Sequence, residues 1–203
     1  MKVEKLVFKH KSIHPDQDKI METIMETIRR YLMGVMSSNP VDEPMHYGEV
    51  FAAWSYLSAT KGKIAGYQTM LNHTGDEELR DFIQDMIKTG KQEEEQIERL
   101  LKENGVALPP TPPERPVANL ESIPVGARFN DPEIATSIAR DLAMGLVACS
   151  QAMGESIRED IGMMYGQFHM KKAQAGTTLL RMQKEKGWLV PPPLHLQEPV
   201  GAF

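Results

Sequence analysis

The chain has 203 residues, of which 25% are charged and 41% are hydrophobic, and its net charge is −5. This composition is typical of a globular domain and excludes an intrinsically disordered chain. The acidic balance argues against nucleic acid as a partner, because phosphate contacts need a basic surface, and no apolar run approaches the roughly 18 residues of a membrane span. The single cysteine, Cys149, excludes an internal disulfide and a cysteine-based metal cage, and favours a reducing, cytoplasmic setting.

Five segments with helical periodicity follow one another along the chain. The first covers about residues 16–37, whereas residues 1–15 give no clear prediction. The second and third, over 44–72 and 76–104, are separated by the turn HTGD, in which Gly75 suits a left-handed helix end and Asp76 can cap the next helix. The fourth and fifth cover 131–156 and 158–186, and the fourth begins at the capping sequence NDPE. No segment alternates apolar and polar residues for long enough to be a strand, so we predict an all-α protein.

An internal repeat relates the two pairs of long helices. The segments KENGVALPP, from Lys102, and KEKGWLVPP, from Lys184, align at an offset of 82 residues, and the apolar stripes match at the same offset. Each pair is therefore predicted to form an antiparallel hairpin that ends in a glycine followed by prolines. The proline-rich connection between the hairpins, about 25 residues long, can cross to the far end of the bundle, as in ferritin-like four-helix bundles.

These two helix ends and the turn NHTGDEELRDFI carry a resemblance to a known family. Residues from about 44 to 195 resemble an uncharacterised family of ferritin-like helical proteins from spore-forming bacteria, which is related to the spore coat protein F domain. The resemblance implies a ferritin-like four-helix bundle, a dimer, and no settled biochemical role. We expect residues 44–203 to form this bundle with a proline-rich tail, and residues 1–43 to form an N-terminal arm and an extra helix outside it.

A ferritin-like bundle raises the question of a di-iron centre, which needs a Glu-x-x-His motif on each of two helices. The Glu-x-x-His from Glu43 to His46 contains Pro44 and lies at a helix start, and Glu94 is followed three residues later by Ile97. We therefore expect no cofactor and no catalytic site. The alternative is a looser iron or manganese site, for which the candidate ligands are His46, Glu49, Glu94, Glu98 and His169.

The acidic candidates also have a purely structural interpretation. In it, the run from Glu93 to Glu95 is a solvated helix face, and Glu98 forms an i, i+4 pair with Lys102. His46 is then a surface residue at the start of its helix.

Three polar residues interrupt the apolar stripes: Lys61, Gln68 and Lys172. We predict that their aliphatic stems pack against the bundle while their polar ends reach water. The alternative is a polar cavity in the core, in which each residue needs a partner. Trp54 is predicted to anchor the core.

Two function classes follow from these patterns. The first is a structural or interaction protein whose bundle assembles with itself or with other coat-type proteins. The second is a ferritin-like, metal-dependent oxidase or storage protein. The missing Glu-x-x-His motifs favour the first class, and plasma emission spectrometry on protein purified without chelator or histidine tag discriminates between them.

The N-terminal segment adds a prediction about assembly. Its apolar residues, Ile20, Met21, Ile24, Met25 and Ile28 among them, cover more than one side of a helix. A helix with so broad an apolar surface needs a packing partner. This helix either covers an outer groove of its own bundle or crosses to a second subunit. We favour the second, which gives a homodimer with isologous contacts that deletion of residues 1–40 should convert to a monomer.

Overall fold

The structure is a computed structural model, and it describes residues 19–26, 28 and 43–195. It divides into two units, Met1–Met45 and His46–Phe203. In the first unit, residues 19–26 form helix α1, on which Ile20, Met21, Ile24 and Met25 are 46–61% exposed. Apart from Ile28, the rest of the helix predicted over 16–37 lies outside the described residues.

Four long helices make up the second unit: α2 (Tyr47–His73), α3 (Glu77–Glu103), α4 (Asp131–Glu155) and α5 (Glu159–Glu185). Two short 3-10 turns, Leu120–Ser122 and Val125–Ala127, lie between α3 and α4. The described residues contain no strand. The all-α prediction is confirmed, and the four long helices begin and end within three residues of their predicted limits.

Side-chain caps mark the starts of three of the four long helices, α2, α3 and α4. His46 and Asn130 cap α2 and α4, each in a reciprocal capping box with the glutamate three residues on, Glu49 or Glu133. Asp76 caps α3 by accepting from the Leu79 N–H. Such caps satisfy backbone donors that the first helical turn leaves open, which explains why the helix starts were readable in the sequence.

The helices are arranged as two antiparallel hairpins, α2–α3 and α4–α5, with α2 packed on α4 and α3 packed on α5. The start of α4 lies at the end of α2, where the Thr74 hydroxyl donates to the Asp131 carboxylate at 2.7 Å. At the opposite end of the bundle, Glu49 near the start of α2 accepts from the Ile157 N–H beyond the end of α4 at 2.9 Å. Helices α2 and α4 are therefore antiparallel.

The crossover segment, residues 104–130, follows α2 from one end of the bundle to the other. The Trp54 indole donates to the Ala107 carbonyl at 3.1 Å, and the Asn72 amide donates to the Pro116 carbonyl at 2.9 Å. Because Trp54 holds the crossover segment and is 38% exposed, the prediction that it anchors the core is wrong. Prolines supply carbonyls but no N–H groups, so at Pro116 the donor has to come from α2, whereas the N–H of Ala118 donates to the Asn72 side-chain oxygen at 3.0 Å.

One cluster of the apolar core lies where the end of α2 meets the starts of α3 and α4 and the end of α5. Trp188, just beyond α5, packs against it. The main buried side chains of this core are Tyr67, Leu79, Phe82, Ile83, Ile134, Ala135, Ile138, Leu142, Leu179 and Met182.

The repeat in the sequence is also a repeat in conformation. Gly105 and Gly187 end α3 and α5 with φ values of 71° and 70°. The N–H groups of Gly105 and of the next residue donate to the carbonyls of Lys102 and Leu101 at 3.0 and 2.9 Å, and the equivalent bonds after α5 measure 3.3 and 2.8 Å. Both helices therefore end in the same Schellman motif. Among the described glycines these two have a positive φ, so the left-handed conformation predicted for Gly75 is wrong.

The left-handed helix ends give a first testable prediction. Gly105→Ala should lower the free energy of unfolding by about 1 kcal/mol, because a Cβ atom disfavours a positive φ. Gly62→Ala is the matched control, since Gly62 lies inside α2 with open space around it, and alanine there should raise the free energy of unfolding by about 0.5–1 kcal/mol. Urea unfolding of both variants measures the difference, and shifts of the same sign would contradict the prediction.

Candidate functional site

A buried ion pair joins the two hairpins in the middle of the bundle. The Lys172 ammonium on α5 lies 2.6 and 2.7 Å from the two carboxylate oxygens of Glu93 on α3. The side chains of Lys172 and Glu93 are only 8% and 2% exposed. The prediction that the Lys172 ammonium reaches water is therefore wrong, and so is the prediction that Glu93 belongs to a solvated face.

A tyrosine and the single cysteine extend this pair into a polar chain. The Tyr56 hydroxyl on α2 donates to Glu93 Oε2 at 2.9 Å, and the thiol of Cys149 on α4 lies 3.5 Å from the Tyr56 oxygen. Burial, reinforced by the Glu93 charge, raises the pKa of the Tyr56 phenol, so the phenol keeps the proton that it donates. Burial also raises the pKa of the Cys149 thiol. All four long helices thus contribute to one buried polar chain, and its cysteine is held in the protonated, unreactive form.

Aromatic rings and a glycine shape the space around the ion pair. Tyr56 meets Tyr165 edge-to-face at 5.4 Å and stacks on Phe168 at 5.9 Å. On α4, a Cβ atom at Gly145 would lie 2.8 Å from two carbons of the Lys172 stem. Gly145 therefore leaves room for the Lys172 stem on its way to Glu93.

A second buried lysine links α2, α3 and the crossover segment. The Lys61 ammonium lies 2.8 Å from a Glu98 oxygen and donates to the Thr111 hydroxyl at 2.7 Å. Its side chain is 2% exposed, so the prediction that it reaches water is wrong for Lys61 too. Glu94 lies 3.9 Å from the same ammonium. The hydrogen bond from Lys61 lowers the pKa of the Glu98 carboxyl.

Two other predictions have mixed outcomes in the same region. The predicted i, i+4 pair is confirmed, because Lys102 lies 2.9 Å from Glu98. Gln68, predicted to reach water, is half-buried, and its side-chain oxygen accepts from the Arg115 N–H in the crossover segment at 3.0 Å.

His46 and Glu49 act together at the start of α2. His46 Nδ1 accepts from the Gly48 N–H at 3.0 Å, and its Nε2 lies 3.1 Å from the Glu155 carbonyl. Glu49 is 3% exposed. One Glu49 oxygen accepts from the N–H groups of Ile157 and Arg158 at 2.9 and 3.0 Å, and the other accepts from the His46 N–H at 3.1 Å. The contacts of both side chains join the start of α2 to the α4–α5 turn.

The five candidate metal ligands do not come together in one place. His46 and Glu49 lie at the α4–α5 turn, Glu94 and Glu98 flank the Lys61 ammonium, and His169 is half-buried on α5. Among the described residues, no group of three or more histidine, cysteine, aspartate or glutamate side chains is placed to hold a metal ion.

Two hollows flank the buried polar chain. A central cavity of about 350 Å³ reaches all four helices. The exposed residues of its lining all lie on α3 and α5, so it opens to solvent between these two helices; they are Asp85, Gln92, Lys171, Gln174 and Thr178. A surface groove of about 470 Å³ runs between α2 and α4, and Phe51 and Met144 stand at its rims.

A family model described as "Protein of unknown function (DUF3231)" matches residues 33–199. The chain belongs to this family. The uncharacterized protein YvdQ of Bacillus subtilis (strain 168) is 57% identical over 166 residues, which are 82% of this chain and 98% of YvdQ. These similarities confirm the family resemblance predicted from the helix ends and the turn.

Two crystal structures are similar to this DUF3231 member. One, from Bacillus halodurans C-125, is described as a "putative spore coat protein"; it is 57% identical, has a TM-score of 0.77, and the match covers 78% of this chain and 100% of that one. A conserved hypothetical protein from Mycobacterium tuberculosis is 14% identical with a TM-score of 0.56, over 74% of this chain and 96% of that one. The second likeness shows a shared fold alone.

The pair of Glu93 and Lys172 was missed in the sequence, although a signal for it exists. Glu93 falls on the apolar stripe of α3, between Gly90 and Ile97, in the same way that Lys172 interrupts the stripe of α5. Opposite charges on the apolar stripes of two helices of one bundle predict a buried pair. The adjacent acids in the run EEE hid this signal, because they make Glu93 look like part of an exposed acidic face.

Within the described ranges, no helix is both long enough and apolar enough to cross a lipid bilayer.

Proposed function

We propose that this protein is a structural protein that forms homodimers and associates with the spore, where it packs with other coat-type proteins. The observation that carries the proposal is the apolar face across α2 and α4, where Phe51 and Met144 are 73% and 72% exposed. Large side chains this exposed on neighbouring helices are typical of a surface that another protein covers.

The groove between Phe51 and Met144 fits a second copy of the same chain. A two-fold related copy would offer its own large side chains to this groove, as an isologous interface requires. Small side chains let two helical surfaces approach closely. Those lining the groove are Gly48, Ala52, Ser55, Ala59, Gly145, Ala148 and Ala152.

Spore association is supported by the relative from Bacillus halodurans. That protein is described as a "putative spore coat protein", and its whole length matches this chain at 57% identity. We therefore extend the proposal from self-association to assembly with coat-type proteins, in a protein made in the cytoplasm.

We propose further that the bundle has no resident iron or manganese and no catalytic site, against the ferritin-like oxidase alternative. The support is that lysines occupy the places where such a fold gathers carboxylates. Both oxygens of Glu93 contact Lys172, and Glu94 and Glu98 flank Lys61. Plasma emission spectrometry of untagged protein tests this, and a stoichiometric metal would overturn it.

The homodimer is tested by charging its proposed interface. Full-length protein at tens of micromolar should be dimeric in light scattering, and Phe51→Glu/Met144→Glu should be monomeric, because each glutamate would be buried without a counter-ion. Met163→Glu is the matched control, since Met163 is 68% exposed on α5, outside this face, and it should stay dimeric.

Deletion of residues 1–40 tests the contribution of the N-terminal segment. We expect it to convert the dimer to a monomer while far-UV circular dichroism keeps the helical signal of α2–α5. A wild-type monomer would overturn the proposed dimer, and an intact dimer in Phe51→Glu/Met144→Glu would exclude the α2–α4 face as its interface.

A further inference from the structure

The central cavity contains a buried hydroxyl without a partner. Thr60 on α2 lines the cavity and is 2% exposed. Within the described part of the chain, its Oγ1 has no hydrogen-bond partner. A buried hydroxyl in this state is unfavourable, and a ligand atom in the cavity would satisfy it.

A lysine one turn further along α2 lines the same cavity. Lys63 is half-buried, and its ammonium lies 5.7 Å from the centre of the Tyr56 ring. It forms no ion pair with any other described residue. Burial and the charge of Lys172 lower the pKa of Lys63, and the charges of Glu93 and Asp141 offset only part of this effect.

Charged groups face Lys63 from each of the other helices: Glu93 on α3, Asp141 on α4 and Lys172 on α5. Glu93 is already bonded to Lys172 through both oxygens. Asp141 lines the same cavity, and its charge acts on Lys63 in the direction opposite to that of Lys172. Glu93 therefore has donors of its own, whereas Lys63 and Thr60, which form no hydrogen bond or ion pair with another described residue, offer donors to the cavity.

We infer that the central cavity binds a small organic carboxylate. Its carboxylate accepts from the Lys63 ammonium and the Thr60 hydroxyl, which are neighbours at i, i+3 on one face of α2. Its apolar part lies against Ile64, Met86 and Leu142, which line the same cavity. The volume of about 350 Å³ is within the usual range of small-molecule sites. This inference does not depend on the proposed dimer or on spore association.

Three probes that share a six-carbon chain and differ in their polar group test whether the cavity prefers a negative charge. Hexanoate, hexylamine and hexanol are titrated into full-length protein at neutral pH and followed by calorimetry and ligand-observed NMR. Hexanoate should bind at least about tenfold more tightly than the other two, which is the usual size of a charge-assisted hydrogen bond. Equal binding of hexanol, or tighter binding of hexylamine, would overturn the inference.

Two variants locate the site. Lys63→Met should weaken hexanoate binding about tenfold or more, and Thr60→Val about threefold. Lys88→Met and Thr177→Val are the controls. Lys88 lies on α3 and Thr177 on α5, the helices between which the cavity opens, but neither residue lines the cavity. Unchanged hexanoate affinity in Lys63→Met and Thr60→Val would overturn the inference.

The melting temperature of Thr60→Val distinguishes a ligand-binding role of Thr60 from a purely structural one. Because no described residue bonds to its hydroxyl, Thr60→Val should keep or raise the melting temperature of the protein without added hexanoate while it weakens hexanoate binding. A lower melting temperature with unchanged hexanoate affinity would contradict the site. Circular dichroism checks the fold of each variant, and Thr60→Val decides the test if Lys63→Met does not fold.

Discussion

Replacing Lys172 by methionine should lower the free energy of unfolding by about 3–5 kcal/mol, which is the usual effect of leaving one member of a buried ion pair without its partner. The Lys172 ammonium contacts both oxygens of Glu93, and the two side chains are 8% and 2% exposed. Without the ammonium, Glu93 keeps one hydrogen bond from Tyr56 and must either stay charged in the core or take up a proton. Urea unfolding followed by circular dichroism measures the loss.

A double substitution separates the lost pair from lost packing. Glu93→Gln/Lys172→Met removes both charges and keeps an oxygen for the Tyr56 hydroxyl, so it should be less destabilised than Lys172→Met alone. Arg99→Met is the surface control, because Arg99 and Glu95 form a pair with side chains 64% and 74% exposed, and its effect should stay below about 1 kcal/mol. Glu93→Gln is measured as the second single variant. If the stability loss of the double variant equals the sum of the losses of Glu93→Gln and Lys172→Met, the two side chains are not coupled.

Removal of the Glu49 carboxylate should produce the next largest loss of stability. Glu49→Leu should lower the free energy of unfolding by about 3 kcal/mol, because it leaves several N–H groups at the junction of α2 with the α4–α5 turn without an acceptor. These are the N–H groups of Ile157, Arg158 and His46. Thermal and urea unfolding measure the effect.

The chain contains its own control for Glu49. Glu133 occupies the same position in the capping box of α4 and accepts from the Asn130 N–H at 2.9 Å, but it is exposed. Water can replace it, so Glu133→Leu should cost less than about 1 kcal/mol. Similar losses in Glu49→Leu and Glu133→Leu would mean that Glu49 acts only as a local cap and does not tie the two hairpins together.

The helix limits were predictable because they depend on neighbours in sequence. Asp76, the sequence NDPE around Pro132, and the glycines at 105 and 187 each act within one turn of the helix that they start or end. Gly75 shows the limit of this reasoning, since a glycine at a helix end permits a left-handed conformation without requiring it.

The buried polar contacts were less predictable, because their partners are distant in sequence. Lys61 and Lys172 were recognised as interruptions of apolar stripes, but snorkelling and internal pairing look the same in a sequence. Which of the two occurs depends on what the facing helix offers at that height. For Lys172 it is Glu93, 79 residues away, and for Lys61 it is Glu98 together with the crossover segment.

The repeat gives the Glu93–Lys172 pair a role in how the two hairpins recognise each other. At the offset of 82 residues, the counterpart of Glu93 is Ala175 and the counterpart of Lys172 is Gly90. Two copies of the first hairpin, taken from different chains, could match their apolar stripes, but they would bury two Glu93 carboxylates without the Lys172 ammonium that bonds to both oxygens. Two copies of the second hairpin would bury two unpaired Lys172 side chains. A pair of two first hairpins or of two second hairpins therefore leaves buried charges without their partners. This favours packing of the first hairpin against the second, and it disfavours the pairing of identical hairpins from neighbouring chains.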